Sequence, residues 1–371
     1  MMKFIRACII ISMFFVPFVH SGVDIDWLNR INKWLYLPSW VSGVSSVFLF
    51  AIYFFSIFYS IYNRKLILEI NYIPIVLIYF LLFVFSLVSF SDVLRYILLF
   101  LIIITYPVII EVLMNDKGVK FIPLIIKAYI LISLLFCIAN FSFYRFNGML
   151  GNPNIFAAVL LFQSFILLSF NKINEDKNID LFLFIILILM IGSGSRSSIL
   201  FYLSSYLFFI VKYRKKYLFF IIPVFIFSVH RIIILEPHYF DRVMELFEGV
   251  SAIAKSSGRS DFWYIVAQKI LQKPYIGYGM NAPIDVVGSG NIHNSYLRLA
   301  LMIGVPLTFF IMILLSISLL LSFINKNNCF FILLSFCMIS FGEDFLVGIG
   351  SACLFFFLFS FHLENKINQN Y

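Results

Sequence analysis

Charged residues are scarce in this sequence of 371 residues: only 12% are Asp, Glu, Lys or Arg, about half the share of an ordinary soluble domain. By contrast, 62% of the residues are hydrophobic. A water-exposed fold of this length cannot hide so much apolar surface. The composition therefore excludes a soluble cytosolic enzyme, a disordered chain and a secreted domain.

Cysteines are also few, and five occur in the whole chain. All five lie in apolar runs without the spacing of metal ligands, so we interpret them as small buried side chains. The sequence also lacks a Gly-rich nucleotide loop, HExxH and Gly-x-Ser-x-Gly. We therefore expect no metal and no cofactor.

Long apolar runs are abundant, and they predict an all-α, polytopic integral membrane protein with about twelve transmembrane helices. A Gly-Ser-rich break at 192–198 divides one long run into two short helices. The first run is expected to be a retained helix, because residues 16–20 lack a signal-peptide cleavage site. The runs lie near residues 4–20, 41–61, 72–90, 93–114, 121–143, 155–170, 179–211, 217–235, 294–322, 329–341 and 345–362.

Basic residues in the short loops predict the orientation of the chain. With twelve spans, the loops on the amino-terminal side carry eleven Lys and Arg residues, and the opposite short loops carry four. Both termini are therefore expected in the cytoplasm. These anchors account for the net charge of +9 without nucleic acid as a partner.

The segment 236–293 is then expected to be one long periplasmic loop within a single integral domain of residues 1–371. Inside this loop, Arg259 to Leu271 has the pattern of an amphipathic helix. Pro274 is expected to end that helix and to start a tight turn over 274–279.

Polar residues collect on the predicted outer side of the membrane. A polar side chain at this depth has an unfavourable free energy, so each one requires an explanation. Arg145, Arg196 and Arg259 each lie near Gly, Ser or Asn. Guanidinium groups and exposed backbone amides both suit phosphate oxygens, so this set predicts a pyrophosphate site. For any one of these arginines, the simpler interpretation is an interfacial anchor or an ion-pair partner.

His293 stands where the long loop is expected to re-enter the membrane. One helix is predicted from this point, and eleven residues make about three turns, so His293 and Gly304 would share a face. Gly304 would let another helix approach closely, and His293 could accept a proton from an attacking hydroxyl. The alternative is a histidine that only caps a helix or reaches the membrane interface.

Glu343 and Asp344 form an acidic pair in the predicted turn between the last two helices. Three interpretations are open for this pair. It orients His293, it pairs with one of the outer arginines, or it belongs to a structural ion pair.

Five short pieces follow one another in the second part of the chain. They are Arg145-Phe-Asn-Gly148 with Asn152-Pro153-Asn154, Gly194-Ser195-Arg196, Gly258-Arg259 with Trp263, Pro274-Tyr-Ile-Gly277-Tyr-Gly279, and His293-Asn294 with Leu297 and Gly304. In this order, over about residues 140–345, the chain resembles the bacterial O-antigen ligase/polymerase family of polytopic membrane proteins.

The resemblance implies a glycosyltransferase of the bacterial inner membrane whose active site faces the periplasm and needs no metal. The donor would be a glycan on undecaprenyl diphosphate. The acceptor would be a lipid-linked repeat unit of O-antigen or a related surface polysaccharide for a polymerase, or lipid A core for a ligase. Membrane lipid would surround the protein, and a chain-length regulator protein is a candidate partner.

The resemblance also implies roles for individual residues. His293 would be the general base or would position the acceptor hydroxyl. The implied diphosphate and substrate contacts are Arg145, Arg196, Arg259 and Asn294, and the implied structural motif residues are Gly304, Asn152 and Asn154.

The match departs from the family at two positions. Some polymerases carry an Arg-x10-Gly pattern, but the positions that correspond to its glycine after Arg145 and Arg259 are Phe156 and Ile270. We predict a polymerase, with a ligase as the close alternative. An alternative from another class is a transporter or flippase of lipid-linked units, which would require charges along a path through both leaflets.

Overall fold

The structure of the chain is a computed structural model. It describes residues 2–16, 18, 37–63, 72–89, 93–114, 116–140, 146, 148–150, 152–174, 178–195, 198–199, 202, 259–279, 281–288, 292–325, 328–346 and 351–370. The predicted run at 217–235 and the first part of the predicted periplasmic loop lie outside these residues.

Thirteen helices make up the described part of the chain, and no strand occurs within it, so the predicted all-α class is confirmed there. In chain order they are α1 (Met2–Phe15), α2 (Ser39–Asn63), α3 (Ile73–Ser89), α4 (Val93–Leu113), α5 (Asp116–Ala139), α6 (Pro153–Asn174), α7 (Ile179–Ser193), α8 (Arg259–Gln272), α9 (Ala282–Val287), α10 (Ser295–Ile303), α11 (Val305–Ile324), α12 (Cys329–Ile339) and α13 (Ala352–Asn370).

Four of the described helices, α2, α5, α6 and α11, are long and apolar enough to cross a membrane. Shorter apolar stretches occur in α3, α4, α7 and α12. Several long apolar helices in one chain indicate a multi-pass membrane protein. The count of twelve spans and the cytoplasmic termini stay predictions.

The C-terminal helix α13 lies at the centre of the described bundle. It packs along α6 and also against α4 and α12. Its phenylalanines are buried, and the rings of Phe336 and Phe357 stack with centroids 3.8 Å apart. The apolar character of α13 therefore reflects packing inside the protein. The helix also starts and ends later than the predicted run at 345–362.

Helix α6 is bonded to its neighbours near both ends. At its start, Asn154 Nδ2 donates to Glu343 Oε1 at 2.7 Å. Near its end, the Ser169 hydroxyl donates to Glu364 Oε2 at 2.6 Å, and Lys172 forms an ion pair with the same carboxylate. Because 22 residues of helix span about 33 Å, these contacts mark opposite ends of the bundle.

The predicted break after α7 is confirmed. Gly194 adopts a left-handed conformation with φ of 65°, and its N–H donates to the carbonyl of Ile191. This is a common way for a helix to end at glycine. Helical residues resume at Ser198 and Ile199, and most of the second predicted helix lies outside the described residues.

The prediction of one helix over 294–322 is wrong. Helix α10 ends at Ile303, α11 begins at Val305, and Gly304 between them has φ of 83°. Pro306 favours a new helix start because proline fits the first turn. His293 lies before α10 in a left-handed conformation with φ of 56°. His293 and Gly304 therefore do not share a helix face.

Gly304 instead lets the turn after α8 pack closely. A Cβ atom at Gly304 would collide with the backbone carbonyl of Tyr275. The Val305 N–H donates to the Pro274 carbonyl at 2.7 Å. The close approach that we predicted at Gly304 is thus made by a turn and not by a second helix.

The predicted amphipathic helix and turn are both confirmed. Helix α8 covers Arg259–Gln272 and buries Val266 and Ile270. Gly277 and Gly279 adopt positive φ values of 73° and 93° in the following turn, which glycine accepts without a steric cost.

Candidate functional site

The backbone on both sides of His293 is held by one carboxylate. Asp344 Oδ2 accepts the Ile292 N–H at 2.7 Å, and Asp344 Oδ1 accepts the Asn294 N–H at 3.0 Å. Arg298 Nη1 lies 3.3 Å from Asp344 Oδ2. The left-handed φ of His293 costs on the order of 1 kcal/mol for a residue other than glycine. These bonds maintain that conformation. They therefore fix the backbone position from which the His293 side chain extends.

The imidazole of His293 is paired with the second carboxylate of the turn. His293 Nδ1 lies 3.2 Å from Glu343 Oε2, and the two side chains are 32% and 6% exposed. When the imidazole is neutral, this contact places its proton on Nδ1 and leaves the lone pair on Nε2. Glu343 thus orients His293, which is one of the three interpretations of the acidic pair.

The Asn-Pro-Asn motif forms the start of α6 and also supports Glu343. Asn152 Oδ1 accepts the Asn154 N–H at 2.8 Å, in the manner of a helix N-cap. Pro153 is the first helical residue, where its missing N–H has no cost. Asn154 then donates its side-chain amide to Glu343 Oε1. The motif therefore lies directly against the carboxylate that orients His293.

Asn294 caps the helix that follows His293. Its Oδ1 accepts the N–H groups of Tyr296 and Leu297, each at 3.0 Å. The next residue, Ser295, donates its hydroxyl to the Glu343 carbonyl at 2.8 Å. The start of α10 and the acidic turn are consequently bonded as one unit.

Helix α8 reaches this unit through Trp263. The indole Nε1 donates to the Ile292 carbonyl at 2.9 Å, next to His293. Arg259, the first residue of α8, precedes Trp263 by one turn and thus lies on the same face of the helix. The Arg259 side chain, together with Arg145 and Arg196, lies outside the described part of the structure.

The segment before α6 packs on the end of α7. The Phe146 N–H donates to the Gly192 carbonyl at 2.7 Å, and a Cβ atom at Gly192 would collide with the Phe146 ring. A Cβ atom at Gly148 would lie 2.6 Å from the Phe156 ring. Phe146 and Gly148 are close to Arg145 in sequence, and Gly192 is close to Arg196. These described neighbours therefore lie at the same end of the bundle as Glu343.

The site includes two residues that the sequence analysis does not single out, Arg298 and Ser295. A charged residue within an apolar run, four residues after a helix-capping Asn, is the signal that points to Arg298. Among the described residues, no group of three His, Cys, Asp or Glu side chains could hold a metal ion. The contact between His293 and Glu343 gives the arrangement an oriented imidazole that can act as a base.

Comparison with known proteins gives one family. Residues 181–312 match the family model described as O-antigen ligase. This segment includes α8, the following turn, His293 and the first part of α11. The resemblance is thereby confirmed over that segment, and a search of curated proteins finds no match to the chain.

Proposed function

We propose that this protein is a membrane glycosyltransferase, since residues 181–312 match the family model described as O-antigen ligase. It moves a glycan from an undecaprenyl diphosphate carrier to an acceptor hydroxyl on the periplasmic face of the bacterial inner membrane. The observation that carries the proposal is the 3.2 Å contact between His293 Nδ1 and Glu343 Oε2. A carboxylate in this position prepares an imidazole to act as a base.

His293 is the proposed general base. Its Nε2 accepts the proton of the acceptor hydroxyl as that oxygen attacks the anomeric carbon of the donor glycan. The bond from this carbon to the diphosphate breaks, and undecaprenyl diphosphate leaves with the bonding electrons. Direct displacement inverts the anomeric configuration, so a product with retained configuration would contradict this step. Glu343 stabilises the imidazolium that forms.

Arginines are proposed to stabilise the charge that develops on the leaving diphosphate. Arg259 has the strongest support, since Trp263 on the same face of α8 is bonded beside His293. Arg196 and Arg145 are proposed as further contacts to the diphosphate. Asn294 is proposed to contact substrate in addition to capping α10.

The proposed acceptor is the next lipid-linked repeat unit, which makes the protein a polymerase of O-antigen or a related surface polysaccharide. Lipid A core is the second candidate, because the matched family model is described as a ligase. Each acceptor gives a different product, so one assay separates the two functions.

The deciding experiment reconstitutes the purified protein in liposomes with a defined undecaprenyl diphosphate oligosaccharide, with and without lipid A core. A ladder of longer lipid-linked glycans without core supports a polymerase, and glycan joined to core supports a ligase. Movement of intact donor across the bilayer without a new glycosidic bond would instead support the transporter alternative.

Replacement of His293 by Ala tests the base directly. We expect the transfer rate to fall by about 10²- to 10⁴-fold, the usual contribution of a general base. Asp285→Asn, at an exposed position of α9, serves as the control and is expected to keep the parent rate. A normal rate in His293→Ala would show that His293 is not catalytic.

A further inference from the structure

Large apolar side chains are exposed on α8 and on the turn that follows it. We call this set the α8 patch. Its members are Tyr264, Leu271, Tyr275 and Ile276, which are 66%, 68%, 79% and 68% exposed. The opposite face of α8 is buried through Val266 and Ile270. An exposed group of large apolar residues indicates a surface that contacts another molecule or a membrane.

The α8 patch is fixed at the level where α11 begins. The turn is bonded there by the Val305 N–H, which donates to the Pro274 carbonyl at 2.7 Å, and by the Tyr278 N–H, which donates to the Leu301 carbonyl at 2.9 Å. The 20 residues of α11 span about 30 Å, the thickness of the hydrocarbon layer. Tyr275 and Ile276 therefore lie at the edge of that layer.

The exposed apolar surface continues from α11 into this turn. Val305 and Phe309 are 45% and 64% exposed and lie one helical turn apart on the same face of α11. Lys273, which is also exposed, holds its Nζ 4.7 Å from the centre of the Tyr278 ring. Tyrosine and lysine beside an apolar band are typical of the zone where lipid head groups meet acyl chains.

We propose that the α8 patch inserts into the bilayer at the boundary between head groups and acyl chains. The partner is the phospholipid surface itself, with Lys273 facing lipid phosphates. Because Trp263 of α8 is bonded to Ile292, insertion of the patch also sets the depth of the His293 segment relative to the membrane. This inference does not depend on the proposed transferase activity.

Photo-crosslinking in the full-length protein tests the proposal. The photoreactive residue p-benzoylphenylalanine replaces Tyr275 or Ile276, and the protein is placed in nanodiscs of phosphatidylethanolamine and phosphatidylglycerol. Phe309 on α11 is the lipid-facing reference, and the charged, exposed Asp285 on α9 is the comparison position. Mass spectrometry measures phospholipid adducts, and size-exclusion chromatography verifies that each variant folds like the parent protein.

We expect adduct yields at positions 275 and 276 to approach the yield at 309 and to exceed the yield at 285 by about tenfold, since the inserted patch places the probe among acyl chains while position 285 leaves it in water. Yields at 275 and 276 no higher than at 285 would overturn the proposal. Adducts that form only after undecaprenyl phosphate is added would also overturn it, because they would identify the carrier lipid as the occupant.

Discussion

The Glu343 carboxylate is the residue-scale feature on which the proposed role of His293 as a base depends. Glutamine at this position can still accept a hydrogen bond, but it has no charge to stabilise the imidazolium that would form in the proposed transfer. We expect Glu343→Gln to lower kcat about 10²-fold with little change in the KM for the donor. Steady-state rates in proteoliposomes measure both constants.

Asp285→Asn is again the control for this substitution, because it removes one carboxylate at an exposed position of α9. A kcat for Glu343→Gln equal to that of the parent protein would contradict the positioning role. A change in KM alone would instead assign Glu343 to substrate binding.

A second residue-scale prediction concerns Gly304. A side chain there would be strained at φ of 83° and would collide with the turn at Tyr275. We expect Gly304→Ala to destabilise the protein by about 1–3 kcal/mol and to lower the thermal midpoint in detergent. The matched control is Gly43→Ala in α2, where a Cβ atom meets nothing within 4 Å. Equal midpoints for the two variants would contradict this account of the turn.

Several single residues could be assigned a place from sequence, and others could not. Motif and resemblance predict His293, Asn152 and Asn154 as site residues. In the structure Glu343 contacts both Asn154 and His293, and Asn152 caps the helix that carries Asn154. Arg298 could not be assigned, because its partner Asp344 is 46 residues away and only the fold brings them into contact. The roles of Arg145, Arg196 and Arg259 stay predictions.

At the scale of elements, hydrogen bonds from the turn between α12 and α13 hold the start of α10 in place. Asp344→Ala would remove the acceptor of the Ile292 and Asn294 N–H groups and one partner of the Arg298 guanidinium. Each buried group that loses its partner costs about 1–3 kcal/mol. For the two buried N–H groups together we therefore expect a loss of about 2–6 kcal/mol in folding stability, together with the loss of the proposed transferase activity.

Asp344→Asn provides an intermediate case for comparison with Asp344→Ala, since one carbonyl oxygen remains as an acceptor of these hydrogen bonds. Its thermal midpoint should fall between those of the parent protein and Asp344→Ala. An Asp344→Ala variant as stable as the parent would show that other contacts hold the His293 segment.

Elements that depend on local signals were predictable. The apolar runs located most of the described helices, and the break predicted over residues 192–198 lies where α7 ends. The single helix over 294–322 failed, because hydropathy does not register the break that Gly304 and Pro306 produce. The bond from Val305 to Pro274 that stabilises the break joins residues 31 positions apart.

At the scale of the whole molecule, the predicted topology places two exposed positions on opposite sides of the membrane. Asp285 in α9 belongs to the predicted periplasmic loop, and Asn178 before α7 belongs to a predicted cytoplasmic loop rich in lysine. We expect Asp285→Cys to react with a membrane-impermeant maleimide in intact cells. Asn178→Cys should react only after the membrane is opened.

The unmodified protein supplies the background for this labelling. It has five free cysteines, of which Cys137, Cys329, Cys337 and Cys353 are buried, so its signal should be low. Labelling of position 178 but not 285 in intact cells would invert the predicted orientation.

The two-ended attachment of α6 limits how this membrane protein can move. A slip of one residue along the helix axis shifts a helix by about 1.5 Å and turns it by about 100°. Such a slip would break the Asn154–Glu343 bond and, at the far end, the Ser169–Glu364 bond together. These bonds hold α6 in register with the turn after α12 at one end and with α13 at the other. If the protein transfers a lipid-linked glycan as proposed, we expect any opening that admits this substrate to form by displacement of other helices away from α6.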